Sequence, residues 1–141
     1  MTFQKDGGCQ CGGVRYRVSA EPVRVAICHC TQCQRVTGSA FSMAMIVADG
    51  AFGLLQGELK TWIRSSDAGR PVLCGFCPDC GTRITHKAEL YRGFTNVRAG
   101  TLDDRSWLQP TMSFWTREKQ PWVTVPEDLF QHETQPSTTV K

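Results

Sequence analysis

The chain has 141 residues, 40% of them apolar, which is enough for the core of one domain and too short for two of ordinary size. Sixteen basic residues against thirteen acidic ones give a formal charge of +3, scattered with no basic run, so a nucleic-acid partner is not expected. No segment approaches the roughly 18 continuous apolar residues of a bilayer span, and Met1-Thr2-Phe3-Gln4-Lys5-Asp6 lacks the apolar run of a signal peptide, so a soluble, cytoplasmic protein with no membrane partner is expected.

In chain order, Cys9-Gln10-Cys11 comes first, trailed by Gly12-Gly13. Val14, Tyr16 and Val18 then alternate with Arg15, Arg17 and Ser19, the period of a half-buried strand. Val23 to Ile27 reads as a second strand that delivers Cys28-His29-Cys30-Thr31-Gln32-Cys33, three thiols within six residues. Gln32 to Thr37 is expected to form a helical turn stopped by Gly38. Phe41 to Ala48 and Ala51 to Leu55, separated by Asp49-Gly50, read as a hairpin. A second hairpin is expected from Leu59 to Ile63 and Val72 to Phe76, across the polar loop 64–70. Cys77-Pro78-Asp79-Cys80 follows, again trailed by small residues, Gly81-Thr82. Arg83 to His86 and Phe94 to Ala99 are further strands, with a turn at Gly100 and Asp103-Asp104. Trp122, in the extended stretch Gln120 to Pro126, is expected to pack onto the sheet, and 132–141 to form a flexible tail behind a single domain, 1–131. Helical periodicity is nowhere sustained, so the fold class is mainly β.

Clustered C-x-C and C-x2-C spacings without an export signal favour metal over disulfides. The two pairs Cys9/Cys11 and Cys77/Cys80 make a closed set of four thiolates, zinc knuckles tying the N-terminal segment to the middle of the chain. Cys28, Cys30 and Cys33 make a set of three, which leaves the fourth position of a tetrahedral zinc open for chemistry. Cys74 is an odd number of residues from Cys77, so on a strand it faces away from that knuckle and reads as a buried apolar thiol; the alternative is that it closes the second set as a fourth ligand. With seven ligand thiolates (−7) and two zinc ions (+4) the formal charge falls to 0, so the apparent basicity carries no functional weight.

Gly8 to Tyr16, Cys28 to Gly38, Phe76 to Thr82 and Ala99 to Asp104 together resemble, in order, the glutathione-dependent formaldehyde-activating enzyme (Gfa) family, over about residues 5 to 130. The resemblance implies a β-tent fold of antiparallel sheets. It also implies two zinc ions per chain, a structural one on Cys9, Cys11, Cys77 and Cys80 and a catalytic one on Cys28, Cys30 and Cys33. The activity implied is that of a carbon-sulfur lyase acting as an S-(hydroxymethyl)glutathione synthase, joining glutathione to formaldehyde.

A zinc with three thiolates is a weak Lewis acid, which disfavours hydrolysis and suits the binding of an exogenous thiol as a nucleophile. His29, between two candidate ligands, reads either as a proton shuttle for that thiol or as a ring hydrogen-bonded to backbone. Glutathione's two carboxylates need cationic or amide-rich contacts, and Arg35, Gly38 and Ser39 are the nearest candidates in sequence. His86 and His132 read as ordinary residues. Two alternatives stay open: a zinc enzyme on this scaffold acting on another carbonyl or an imine, and a glutathione- or zinc-binding module without catalysis.

Overall fold

Strand signals dominate the chain, and the computed structural model, which describes residues 2–135, is mainly β. In order come β1 (Lys5–Gly8), β2 (Arg15–Val18), β3 (Arg24–Cys28), α1 (Thr31–Thr37), β4 (Ser42–Ala48), β5 (Phe52–Gln56), β6 (Lys60–Ser65), β7 (Pro71–Phe76), β8 (Arg83–Ala88), β9 (Phe94–Arg98), β10 (Met112–Phe114) and β11 (Phe130–Gln131). A small sheet has the order β1-β2-β5, and a large one β11-β10-β3-β4-β9-β8-β7-β6. The small sheet is antiparallel as expected, and so is the large one except at one edge, where β10 runs parallel to both β3 and β11. The long excursion 99–111 lets the chain return to the edge of β3 in the same direction.

Cross-strand register divides the large sheet into two faces with different duties. Val25, Met45 and Val97 are aligned on one face and buried, and they pack against Tyr16 and Val18 of the small sheet and Val14 just before it to make the core. The alternation that marks β2 in the sequence is visible here: Tyr16 and Val18 point inward, while Arg15 and Arg17 point out and pair with Asp103 and Asp6. The other face carries Cys28 opposite Ser42, Ala26 opposite Ala44 opposite Arg98, and Ile46 opposite Asn96 opposite His86. A cavity lies over that second face.

The hairpin expected at Asp49-Gly50 does not form. Both edges of β4 are taken, by β3 and β9, so the chain passes through a 3-10 turn at Asp49–Ala51 and β5 joins β2 in the small sheet. The second hairpin does form, β6 with β7, closed by bonds between Ser66 and Arg70. Trp122 is 73% exposed and does not pack on the sheet; Val123 beside it takes the buried position instead. The domain also extends past residue 131. His132 donates its amide to Ser113 and accepts from the Thr116 amide, and Gln135 bridges Trp115 and Tyr91. Residues 132–135, the start of the expected flexible tail, are thus hydrogen-bonded to the domain, and residues 136–141 lie outside the described residues.

Candidate functional site

The first cysteine set is built by two turns of one design. Gly12 donates its amide to the Cys9 carbonyl (3.1 Å) and Gly81 to the Cys77 carbonyl (2.9 Å), and each turn is closed by a return bond, Cys9 N to Val14 O and Cys77 N to Thr82 O. Both glycines sit in the left-handed region, φ 81° and 80°, where a side chain is disfavoured. Amides of Val14 and Gly13 point at the sulfurs of Cys9 (3.1 Å) and Cys11 (3.4 Å).

The four sulfurs of Cys9, Cys11, Cys77 and Cys80 all lie within 4.8 Å of one another, with Cys9 to Cys11 at 3.6 Å and Cys11 to Cys77 at 3.8 Å. Four sulfurs at zinc-ligand distance from one centre stand about 3.8 Å apart, so this set fits a tetrahedral zinc. Crowding splits the thiols: bonds from the Thr82 hydroxyl and amide bring Cys80 down to about 5. Cys11, although it receives the Gly13 amide, is pushed up to about 12 by the neighbouring sulfurs of Cys9 and Cys80. A cation shared among them relieves that repulsion.

The second set is placed by the end of β3 and the first turn of α1. Cys30 is the residue before the helix, its sulfur accepting the Cys33 amide at 3.3 Å, and Gly38 ends the helix at φ 62° as the sequence suggests. The sulfurs of Cys28, Cys30 and Cys33 lie within 4.8 Å of one another. Bonds to the Cys28 and Cys30 thiols hold Cys33 far below the usual thiol range, against burial, with the Arg98 charge and Ser42 adding to the effect; Cys30, Cys33 and burial push Cys28 far above it. Three donors of this softness fit a zinc ion with one position left open. Cys74 belongs to neither set: it is buried on β7, its thiol turned to the Val72 carbonyl.

All three of these cysteines line a cavity of about 1020 Å³ over the large sheet, and none of Cys9, Cys11, Cys77 and Cys80 does. Its floor includes Ser42, Ala44, Ile46, His86 and Asn96, and one end is walled by Phe114 and Trp115. Trp115 is the one non-glycine residue at positive φ, 59°, among the described residues; its indole donates to Gln135 and stacks under the Arg117 guanidinium at 5.0 Å. The helix carrying Cys33 is clamped from outside. Thr31 donates its amide and hydroxyl to Glu118, and Gln34 donates to the carbonyls of His29 and Glu118.

The structure does not gather every expected residue. His29 is 0% exposed and absent from the cavity lining; its Nε2 meets the Ser113 hydroxyl at 2.9 Å and burial lowers its pKa. It holds β3 to β10 and has no contact with solvent through which to move a proton. Arg35, Gly38 and Ser39 lie on the exposed side of α1 and its C-terminus, also outside the cavity. The arginines that do line it are Arg64, Arg70 and Arg117, from the β6-β7 hairpin and the segment after β10. Nothing in the sequence near the cysteines points to them, because cross-strand register brings them in. His86, expected to be ordinary, is on the cavity floor, with its pKa brought down to about 3 by burial and then by the charge of Arg98. The Ala99 to Asp104 motif carries fold instead of chemistry: Thr101 bonds the Tyr16 hydroxyl at 2.7 Å and Asp103 pairs with Arg15, joining the two sheets.

Among solved structures, the chain is similar to a crystal structure of a Rhodobacter sphaeroides protein, 20% identical, with a TM-score of 0.56 over 74% of this chain and 91% of that one, a likeness of fold. No helix among the described residues is long and apolar enough to cross a membrane. Residues 4–118 match the model of the family described as glutathione-dependent formaldehyde-activating enzyme, a span that holds both cysteine sets and most of the cavity floor, and the chain therefore belongs to that family.

Proposed function

We propose that the chain is a zinc-dependent carbon-sulfur lyase of the S-(hydroxymethyl)glutathione synthase type, which promotes addition of glutathione to formaldehyde in the large cavity. The observation that carries this reading is the partition of the sulfurs: the four-sulfur set is closed and away from the cavity, and the three-sulfur set opens into it. Cys28, Cys30 and Cys33 would hold a zinc ion, which when bound supplies an open position where a thiol loses its proton. The glutathione sulfur then forms a bond to the formaldehyde carbon, the carbonyl π pair moves to oxygen, and that oxygen takes up a proton from solvent.

The chain's own contribution is orientation. α1, clamped by Glu118 and Gln34, fixes Cys30 and Cys33; Ser42 lines the cavity opposite Cys28; and Phe114 and Trp115 wall the same end of the cavity. Holding two small reactants together there replaces a bimolecular encounter with a local one. His29 acts through Ser113 to keep the β3 end in place, a positioning role.

Calorimetric titration of the zinc-loaded protein with glutathione and with S-methylglutathione tests the reading. Glutathione should bind and the capped analogue should not. Equal binding of the two, or binding of neither, would mean that the sulfur does not meet the cysteine set.

A further inference from the structure

Among the described residues, Arg98 is the one buried arginine or lysine side chain, 9% exposed, and no carboxylate lies within salt-bridge distance of it. Its Nε and Nη1 have no hydrogen-bond partner. Two residues along β9, Asn96 is 4% exposed and lines the cavity floor, and its Nδ2 is also without a partner. Across the β8-β9 register, the Nδ1 of His86 is a fourth atom without a partner. Buried donors are ordinarily satisfied. Two neighbouring side chains on one face of one strand, Asn96 and Arg98, carry buried N–H groups with this lack, which points to an acceptor that the protein does not itself supply.

We propose that Asn96 and Arg98 form an anion subsite on the cavity floor that takes the carboxylate of a thiol substrate whose sulfur lies at the Cys28, Cys30 and Cys33 set. The inference rests on the functional reading above for the position of the sulfur; the subsite itself rests on the unpartnered donors. Asn96 is the contact residue, because it lines the cavity, and Arg98 lies beside it and supplies the positive field. The rim cannot supply the same preference as simply: exposed Arg70 and Arg117 stand there with exposed Asp67 and Glu89, so its charges offset one another.

Register also sets the length of the ligand. β9 is two strands from β3, about 10 Å across the sheet, and Arg98 and Asn96 stand two and four residues along from the row of Cys28 and Ser42, so the carboxylate sits about 10 Å or more from the sulfur. A thiol acid with eight bonds between sulfur and carboxyl carbon spans about 10 Å when extended, and one with three spans about 4 Å. The substrate class is thus a thiol with a remote carboxylate, a class to which glutathione belongs.

The probes are 8-mercaptooctanoate and its primary amide, 3-mercaptopropionate and its amide, and octanoate, each titrated calorimetrically into zinc-loaded protein. The long acid should bind at least tenfold tighter than its amide, while the short pair should differ by less than about twofold. Asn96→Leu and Arg98→Met should each bring the long acid to within about twofold of its amide and leave amide binding unchanged; Asn96→Asp should make the acid the weaker ligand. Circular dichroism and zinc content confirm folding, and if Arg98→Met fails to fold, the two Asn96 variants carry the test. Equal binding of the long acid and amide to the wild type overturns the subsite and assigns the donors to water. Discrimination that persists in the Asn96 variants and is lost in Arg64→Gln/Arg70→Gln/Arg117→Gln also overturns it, in favour of the rim. If octanoate binds as tightly as the thiol acid with the same dependence on Asn96, the anion subsite stands and only the sulfur reading fails.

Discussion

Cys33 shows how a single side chain takes on a functional character from its surroundings. Burial alone would raise its pKa, yet two neighbouring thiols, the Arg98 charge and the Ser42 hydroxyl together hold it low. His86 illustrates the opposite case: burial and Arg98 both favour its neutral form. Because its folded pKa of about 3 lies below the unfolded value near 6.5, the stability it contributes is complete above pH 6.5 and is lost as pH falls towards 3. NMR should find the His86 ring neutral at pH 5, and acid unfolding of His86→Gln should be less steep over that window. His29 makes a third case. Ser113→Ala leaves its Nε2 buried without a partner, and denaturant unfolding should show a loss of about 1–3 kcal/mol, with zinc content unchanged.

At the scale of elements, α1 is seven residues held at both ends, by Cys30 before it and by Gly38 after it. A Cβ on Gly38 would meet nothing within 4 Å, so the penalty of Gly38→Ala is confined to its backbone at φ 62°. Thermal denaturation should show a loss of about 1 kcal/mol, and zinc at the neighbouring cysteine set should be retained. The 132–135 segment behaves as part of the fold: Gln135→Ala removes the bridge between Trp115 and Tyr91 and should destabilise the domain by about 1–2 kcal/mol in the same assay.

The elements were legible where local pattern decides them. Alternation in 14–18 and Gly38 after 32–37 predicted β2 and α1, and the β6-β7 hairpin followed from two apolar runs around a polar loop. Partners were less legible than elements. Nothing local to Ala48 or Phe52 says that the edges of β4 are already occupied, or that β10 approaches β3 in parallel after a long excursion. Trp122 misled because size alone argued for burial, whereas the chain turns Val123 inward at that point.

For the molecule as a whole, the two cysteine clusters that could hold a metal were written in the spacing and the cavity was not. Seven cysteines assort as their spacing implies, but the walls facing the open set come from seven strands in register, so Arg64 and Asn96, with Arg98 beside Asn96 on β9, could not be picked out among sixteen basic residues and scattered amides. The two centres should also differ in what their loss does. Cys77→Ala breaks a cross-link between the N-terminal knuckle and the middle of the chain and should cost several kcal/mol or prevent folding, while Cys30→Ala should leave a folded protein short of one metal. Comparing melting temperature and zinc content of the two variants separates these outcomes.

The central claim is that the Cys28, Cys30 and Cys33 set holds a metal with one position open to a thiol, and the absorption spectrum of the cobalt-substituted protein tests it most directly. Adding glutathione should strengthen the sulfur-to-cobalt charge-transfer bands and shift the visible bands, because a further sulfur joins the open set while the closed set stays constant. S-methylglutathione should leave the spectrum unchanged, and so should glutathione added to Cys30→Ala. A spectrum indifferent to glutathione, or one that responds equally to the capped analogue, would contradict the claim.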